Sequence, residues 1–347
     1  LQHNGEWNDA ARFFWETVIH NRSVAIGGNS ASEHFHPSDD FTNMINNIEG
    51  PETCNTYNML KLSSQFYQTE GLIRYIDYYE KALYNHILSS QHPTHGGLVY
   101  FTPMKPDHYR VYSQPHTSFW CCVGSGIENH AKYGEMIYAH HGNELYVNLF
   151  IASELDWKEK GVHIKQISSF PNEGKVEIVI SPENKTLIDM KLRYPSWLDN
   201  GSLKVLVNGK KIKIKASPGE YISIERLWKK NDSIVLLFDM DVKVEQMPDH
   251  SPYFAYSYGP IVLAAKTGTA DLKGLKADDS RGGHIAHGKP SSLHNVSYLV
   301  GDESQLADQV VVVSAKELRF KLYTDATTKA ESHELIPFYK LHDSRYI

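Results

Sequence analysis

Two short runs hold all three cysteines of the 347-residue chain: Glu52-Thr53-Cys54 and, 67 positions after Cys54, Cys121-Cys122. Three sulfurs and one carboxylate make a four-coordinate donor set of the kind zinc takes. The same thiols, once ionised, are nucleophiles. The plain alternative is three ordinary buried cysteines, and adjacent cysteines seldom ligate one metal in the common zinc motifs. Spacing alone leaves both readings open. A further carboxylate, Glu33, stands in the glycine-rich run Gly27-Gly28-Asn29-Ser30-Ala31-Ser32-Glu33-His34-Phe35-His36. Beside a thiolate it completes an acid/base and nucleophile pair; otherwise it is a solvated loop acid. The paired glycines are not a phosphate loop, because the Lys-Ser/Thr of that motif and its flanking strand are missing.

Twelve of the 19 histidines also fall in the first 143 residues. His34, His36, His92, His95, His108 and His116 occupy long loops there, where one or two would meet sugar hydroxyls or a metal and the rest are structural. Tyr100 and Trp120 offer an aromatic wall or, equally, core packing. Glu128 lies inside a helical pattern and reads as structural.

These residues need elements to carry them. Ala10, Phe13, Trp15 and Val18 recur at helical spacing up to about His20, and Met59, Leu62 and Phe66 do so between about Asn55 and Gln68. Leu72, Ile76, Tyr79, Leu83 and Ile87 stripe a third helix ending near Ser90. Ile127, Ala131, Gly134 and Tyr138 predict a fourth, closed by Gly142. Successive antiparallel helices make the second and fourth parallel, so Cys54 and Cys121-Cys122 fall at N-terminal ends on one side of an αα-hairpin array. A helix N-terminus favours the thiolate.

The period changes near Leu145. Val176-Glu177-Ile178 and Lys211-Ile212-Lys213-Ile214-Lys215 alternate, with Asn208-Gly209 as a hairpin signal. Strand-like runs continue through Ile234–Phe238, Ile261–Ala264 and Val310–Val313, which predicts one or two β-sandwich units. Residues 267–290, rich in Gly, Lys, Asp and His, read as a long surface loop. A net charge of −6 argues against a nucleic-acid binder. No apolar run reaches the roughly 18 residues of a membrane span, and three cysteines make no disulfide framework. The 21 tyrosines exceed what core packing usually asks, which suits stacking on sugars.

Gly27-Gly28-Asn29-Ser30…Glu33-His34-Phe35, Glu52-Thr53-Cys54-Asn55 and Phe119-Trp120-Cys121-Cys122-Val123-Gly124 together resemble the β-L-arabinofuranosidases of glycoside hydrolase families 127 and 146. The context of Asn29 and Trp120-Cys121-Cys122 is closer to family 146. The resemblance continues through Gly259-Pro260-Ile261-Val262-Leu263 and covers most of the chain. It implies an α+β multidomain protein with an (α/α)6 barrel followed by β-sandwich domains. It implies zinc on Glu52, Cys54, Cys121 and Cys122, with Cys121 as nucleophile and Glu33 as acid/base. Glu33 stands further from Glu52 than in some members. His34, Tyr100, His116 and Trp120 are the expected substrate contacts. The implied reaction is retaining hydrolysis of β-L-arabinofuranosides from plant glycans; the alternative is a non-catalytic carbohydrate-binding or assembly fragment with a structural zinc.

An (α/α)6 barrel has more helices than the four read here, and Leu1 is not an initiator methionine. The expectation is therefore the C-terminal portion of such an enzyme, divided into a helical part (1–143), a β-sandwich (144–265) and a C-terminal β region with a long loop (266–347). The stripe from Leu72 to Ile87 would then need a partner, either the missing N-terminal half or a second copy, making the chain oligomeric. Glycan degradation implies a periplasmic or extracellular location.

Overall fold

A computed structural model describes residues 5–325 and 331–347; Leu1 lies outside them. Five α-helices come first: α1 (Gly5–Asn21), α2 (Thr42–Asn46), α3 (Thr53–Glu70), α4 (Ile73–Ala82) and α5 (Cys121–His130). Gly71, left-handed at φ +69°, ends α3 and turns the chain into α4. The latter runs on through a π-helical turn (Leu83–Ile87) and a 3-10 turn (Leu88–Ser90). Side chains three and four apart put Met59 and Phe66 of α3 against Tyr75, Ile76 and Tyr79 of α4, with Trp15 of α1 closing the cluster.

This packing corrects the expected stripe. Ile76, Tyr79, Leu83 and Ile87 are all buried, and they share one core with α1, α3 and Leu149; only Leu72 is exposed. The chain covers that face itself. α1 leaves apolar surface in water, with Phe13 74% exposed and Trp7 66%. Phe14 beside them meets Phe35 edge to face at 6.1 Å.

The fourth helix is also shorter than its pattern. It stops at His130, Ile127 is exposed, and Tyr138 opens a strand whose turn is Gly142. Met136 and Ile137, between them, drop into the helical core instead of prolonging a helix.

Three sheets follow. Tyr138–His141, Glu144–Val147, Thr186–Arg193 and Tyr221–Trp228 form the first. The second orders Ser153–Trp157, Val162–Ser168, Lys175–Pro182, Asp232–Phe238, Leu203–Val207 and Lys210–Lys211. Alternating residues of both, among them Val147, Met190 and Leu192 from one and Ile164, Ile178 and Leu236 from the other, fill one sandwich core. Asn208-Gly209, both at positive φ, makes the hairpin turn that joins Val207 to Lys210. The third sheet pairs Val242–Gln246, Phe254–Tyr258, Ile261–Gly268, Ser332–Pro337, Arg319–Tyr323 and Val310–Ser314. Residues 142–143 form the turn of the first hairpin, and the strand Ile261–Gly268 runs through 265/266.

One buried cation ties helices to sandwich. Arg193 Nη1 donates to Asp77 at 2.6 Å, Nη2 pairs with Glu80, and Nε donates to the Asn148 carbonyl at 2.6 Å. Removing one partner would strand a buried charge, which is the costly case for such pairs. Among the described residues no helix is long and apolar enough to cross a membrane.

Four histidines of this framework set its acid limit. Burial pushes His86 down to about 3 and His108, His130 and His342 to about 4. Unfolded, they take up protons near pH ~6.5. Between there and about pH 4 the unfolded chain binds more protons, so stability present above ~6.5 is lost as pH falls. Melting temperature is therefore expected to fall steadily from about pH 7 to about pH 4.5, by an amount worth several kcal/mol. A flat profile would contradict neutral burial of these rings.

Candidate active site

The segment 51–53 pairs with residues 100–102: Thr53 N–H donates to the Tyr100 carbonyl at 3.0 Å and Thr102 N–H to the Pro51 carbonyl at 3.0 Å. This sets Glu52 just ahead of α3 and Cys54 in its first turn. Cys121 and Cys122 open α5. Cys54 meets Ser125, Tyr57 meets Glu128 and Ser64 meets Met136, pairs 71 or 72 positions apart. A near-constant offset means that α3 and α5 run parallel, as the sequence predicts, and their N-terminal ends meet.

There the four donor atoms of Glu52, Cys54, Cys121 and Cys122 all lie within 4.8 Å of one another. Cys54 Sγ is 3.1 Å from Cys122 Sγ, and Glu52 Oε1 is 3.4 Å from Cys121 Sγ and 3.7 Å from Cys122 Sγ. All three cysteines are free thiols. The protonation pattern shows what such crowding does. The hydrogen bond from Cys122 holds the Cys54 thiol below its usual value and, with burial, pushes Cys122 far up. Burial raises Cys121 to about 11 and raises the Glu52 carboxyl as well. Four ionised donors cannot share this space without a cation, whereas soft sulfurs around a divalent ion resolve the conflict. The group could therefore hold a metal ion.

Glu33 reaches the same place from another direction. Ala31 and His34 exchange both backbone hydrogen bonds, at 3.0 and 3.1 Å, across a two-residue turn. Its central residues, Ser32 and Glu33, both take positive φ, +48° and +66°. Such turns favour Asn and Gly, so a glutamate at the tip is strained, and the turn is held by the bond from Ser32 N–H to the Glu49 carbonyl at 2.8 Å. Behind the loop, Gly28 passes so close that a Cβ would lie 2.6 Å from Pro51 and 2.9 Å from His86, which is why the glycine pair is there. The Tyr100 hydroxyl donates to Glu33 Oε1, and its ring packs with Cys54 and Cys122, so one phenol links the candidate acid to the cysteine cluster.

The other expected contacts divide. Trp120, just ahead of α5 and half-buried, stands edge-on to Tyr100 with centroids 6.2 Å apart. His34 is exposed, its Nδ1 on the Ser32 carbonyl at 2.5 Å. His116 is exposed on the turn that leads to Trp120. His36 is buried against Phe41, and His108 is buried too. His92, His95 and Asp343 form a second group with donor atoms within 4.8 Å. Yet His92 Nδ1 accepts from Thr94 N–H, and His95 Nδ1 accepts from Gly97 N–H. Both Nε2 atoms therefore carry the proton, and His92 gives its own to Asp343 at 2.9 Å. That is a strap between loop and C-terminus.

The loop 267–290 is largely exposed, as its composition predicts, but it is docked on the helical part at a few points. Tyr112 N–H donates to the Leu275 carbonyl at 2.9 Å and Ala277 N–H to the Tyr112 carbonyl at 2.8 Å, and Ala277 and Ala286 are buried. It brings Ile285 into the cluster of Tyr100, Phe101, Cys54 and Cys122, and lays His284 on Tyr100. Neither residue is legible in the sequence, where only a Gly282-Gly283 pair before a histidine hints at a tight approach. A separate groove of about 650 Å³ between α1, α4 and the sheets holds none of these residues.

Comparison with known proteins agrees with this arrangement. Residues 1–135 match a family model described as β-L-arabinofuranosidase, GH127 catalytic domain, and residues 144–240 match the GH127 middle domain. Residues 243–347 match a domain of unknown function. Among solved structures, a GH127 β-L-arabinofuranosidase from Geobacillus stearothermophilus T6 is similar at 20% identity and TM-score 0.68, over 97% of this chain and 57% of that one. A glycoside hydrolase (18%, TM-score 0.67, 96% and 60%) and a GH127 β-arabinofuranosidase (20%, TM-score 0.64, 96% and 54%) are similar too. The chain thus spans little more than half the length of these relatives. No curated protein matches it. The fold is of the α+β class. The chain belongs to the β-L-arabinofuranosidase family GH127.

Proposed function

We propose that the protein is a retaining glycoside hydrolase acting on β-L-arabinofuranosides of plant glycans, with Cys121 as nucleophile and Glu33 as acid/base. The observation that carries this reading is the convergence of Cys121 with Glu52, Cys54 and Cys122, beside Tyr100, whose hydroxyl bonds Glu33 and whose ring packs on the same cysteines. Zinc fits the donor set Glu52, Cys54, Cys121 and Cys122, where it would stabilise the thiolate form. The Cys121 thiolate attacks the anomeric carbon as the bond to the leaving oxygen breaks, and Glu33 gives that oxygen its proton. Glu33 then takes a proton from water, whose oxygen replaces sulfur on the sugar. Two inversions retain configuration, with sulfur where most retaining enzymes use a carboxylate.

We assign the helical part to an (α/α)6 barrel and place the protein in the periplasm or outside the cell, where plant glycans are degraded. His34, His116 and Trp120 are proposed substrate contacts beside Tyr100. Release of L-arabinofuranose with retained configuration from an aryl β-L-arabinofuranoside tests the proposal. Arabinan binding without hydrolysis would favour the second reading, a non-catalytic carbohydrate-binding or assembly fragment with a structural zinc.

The proposed association moves from α4 to α1. Trp7, Phe13 and Phe14 form an exposed apolar face on α1. Light scattering at micromolar concentration is expected to find the chain oligomeric, and Phe13→Ser with Phe14→Ser to shift it toward monomer. A monomeric parent chain would contradict this.

A further inference from the structure

The loop from the third sheet does more than cover the helical part. It leaves the strand Ile261–Gly268 and is held at its two ends by Arg345, whose Nε donates to the Ala270 carbonyl at 2.9 Å and whose Nη2 donates to the Lys289 carbonyl at 3.0 Å. Its middle is fastened to the helical part through Tyr112, as described, and by Gln114 Nε2 on the Ala277 carbonyl at 2.6 Å. Gly288 N–H donates to the Tyr109 hydroxyl at 2.7 Å. At Gly283 the chain folds flush on Asp278, where a Cβ would lie 2.6 Å from Oδ1. The next residue, His284, is therefore held in place from both sides.

Its ring stacks on Tyr100, centroids 4.4 Å apart and planes 29° apart, and stands edge-on to Trp120 at 5.5 Å. The charges that act on it are those of Glu49 and Glu33. Its Nδ1 is shielded from solvent and has no hydrogen-bond partner among the described residues. A ring with an apolar face and a spare polar nitrogen, beside the proposed proton donor, is equipped to meet a sugar: C–H groups on the face and a hydroxyl on the nitrogen.

We propose that His284 is a substrate-positioning residue of the leaving-group subsite, so that the domain of unknown function contributes to the active site. The placement on the leaving-group side follows from Glu33, which in the mechanism above protonates the departing oxygen; the inference rests on that reading. Ile285, beside Cys122, keeps this part of the loop on the cysteine cluster.

Isothermal titration of wild-type protein and His284→Ala with L-arabinose and with a sulfur-linked, non-hydrolysable L-arabinofuranosyl disaccharide tests this without depending on turnover. Wild type is expected to bind the disaccharide more tightly than the monosaccharide. His284→Ala is expected to lose roughly tenfold on the disaccharide, the size of one hydrogen bond, and nothing on L-arabinose, with metal content and melting temperature unchanged. His284→Gln, which keeps a polar group near Nδ1, is expected to recover part of the loss. Equal losses on both sugars, no loss on either, or a wild type that gains nothing from the second sugar would each overturn the proposal. Absence of hydrolysis with disaccharide binding intact would instead count against the hydrolase reading alone.

Discussion

Cys121→Ser is expected to abolish hydrolysis of an aryl β-L-arabinofuranoside, with kcat down by at least ~10³-fold, the loss typical of removing a nucleophile. Serine keeps the shape of the side chain but not its chemistry. A hydroxyl beside Glu52 and Tyr100 has no base to ionise it, because Glu33 is engaged with the phenol and serves the leaving oxygen. Cys121 is also the most accessible of the three sulfurs, exposed where Cys122 is buried, as a nucleophile must be and a purely structural ligand need not. Turnover near the wild-type rate would rule out sulfur as the attacking atom.

The second large effect concerns the metal. Protein purified under reducing conditions without chelators is expected to carry about one zinc per chain. Cys54→Ala and Cys122→Ala are each expected to lose most of it. Chelation is expected to lower the melting temperature by about 10 °C, since binding that contributes several kcal/mol is felt at ~2–4 °C per kcal/mol in a chain of this size. Glu52, Cys54, Cys121 and Cys122 are forced together at two helix ends, where burial drives Glu52 and Cys121, and the hydrogen bond with Cys54 together with burial drives Cys122, toward the neutral form. Without a cation the ends of α3 and α5 lose what holds their donors ionised. The 3.1 Å between Cys54 and Cys122 marks these two as the pair that an oxidant would join once the metal is gone. Elemental analysis finding no zinc, with all thiols titrating as free, would contradict the site.

Much of this site can be read from residue types alone, because a chain with three cysteines offers few ways to build a sulfur site. Glu52, Cys54, Cys121 and Cys122 converge because they sit at helix starts, and the direction of α3, α4 and α5 follows from short connections and apolar spacing. The period misleads where it arises by chance. Ile127, Ala131, Gly134 and Tyr138 are spaced like a helix, but Ile127 faces water and Tyr138 pairs with Val147 in a sheet. It is also silent about partners: Leu72 to Ile87 read as an open face because the strands and α1 that cover it lie far off in sequence. The loop 267–290 is the clearest case. Gly, Lys and Asp mark a surface loop, and most of it is exposed, whereas its docking comes from bonds to Tyr109, Tyr112 and Gln114 about 160–180 positions earlier. No local pattern encodes such contacts, so His284 and Ile285 were out of reach.

The central claim is a covalent bond between Cys121 sulfur and the sugar. Glu33→Gln removes the group that assists both steps. An aryl leaving group that departs unprotonated spares the first step, so the second becomes slow and the intermediate accumulates. Mass spectrometry of Glu33→Gln protein mixed with such a substrate is expected to find one pentosyl residue on the peptide containing Cys121, and none when Cys121→Ser is added. A pentosyl group on a carboxylate, or continued turnover with no adduct on the cysteine peptide, would contradict the account.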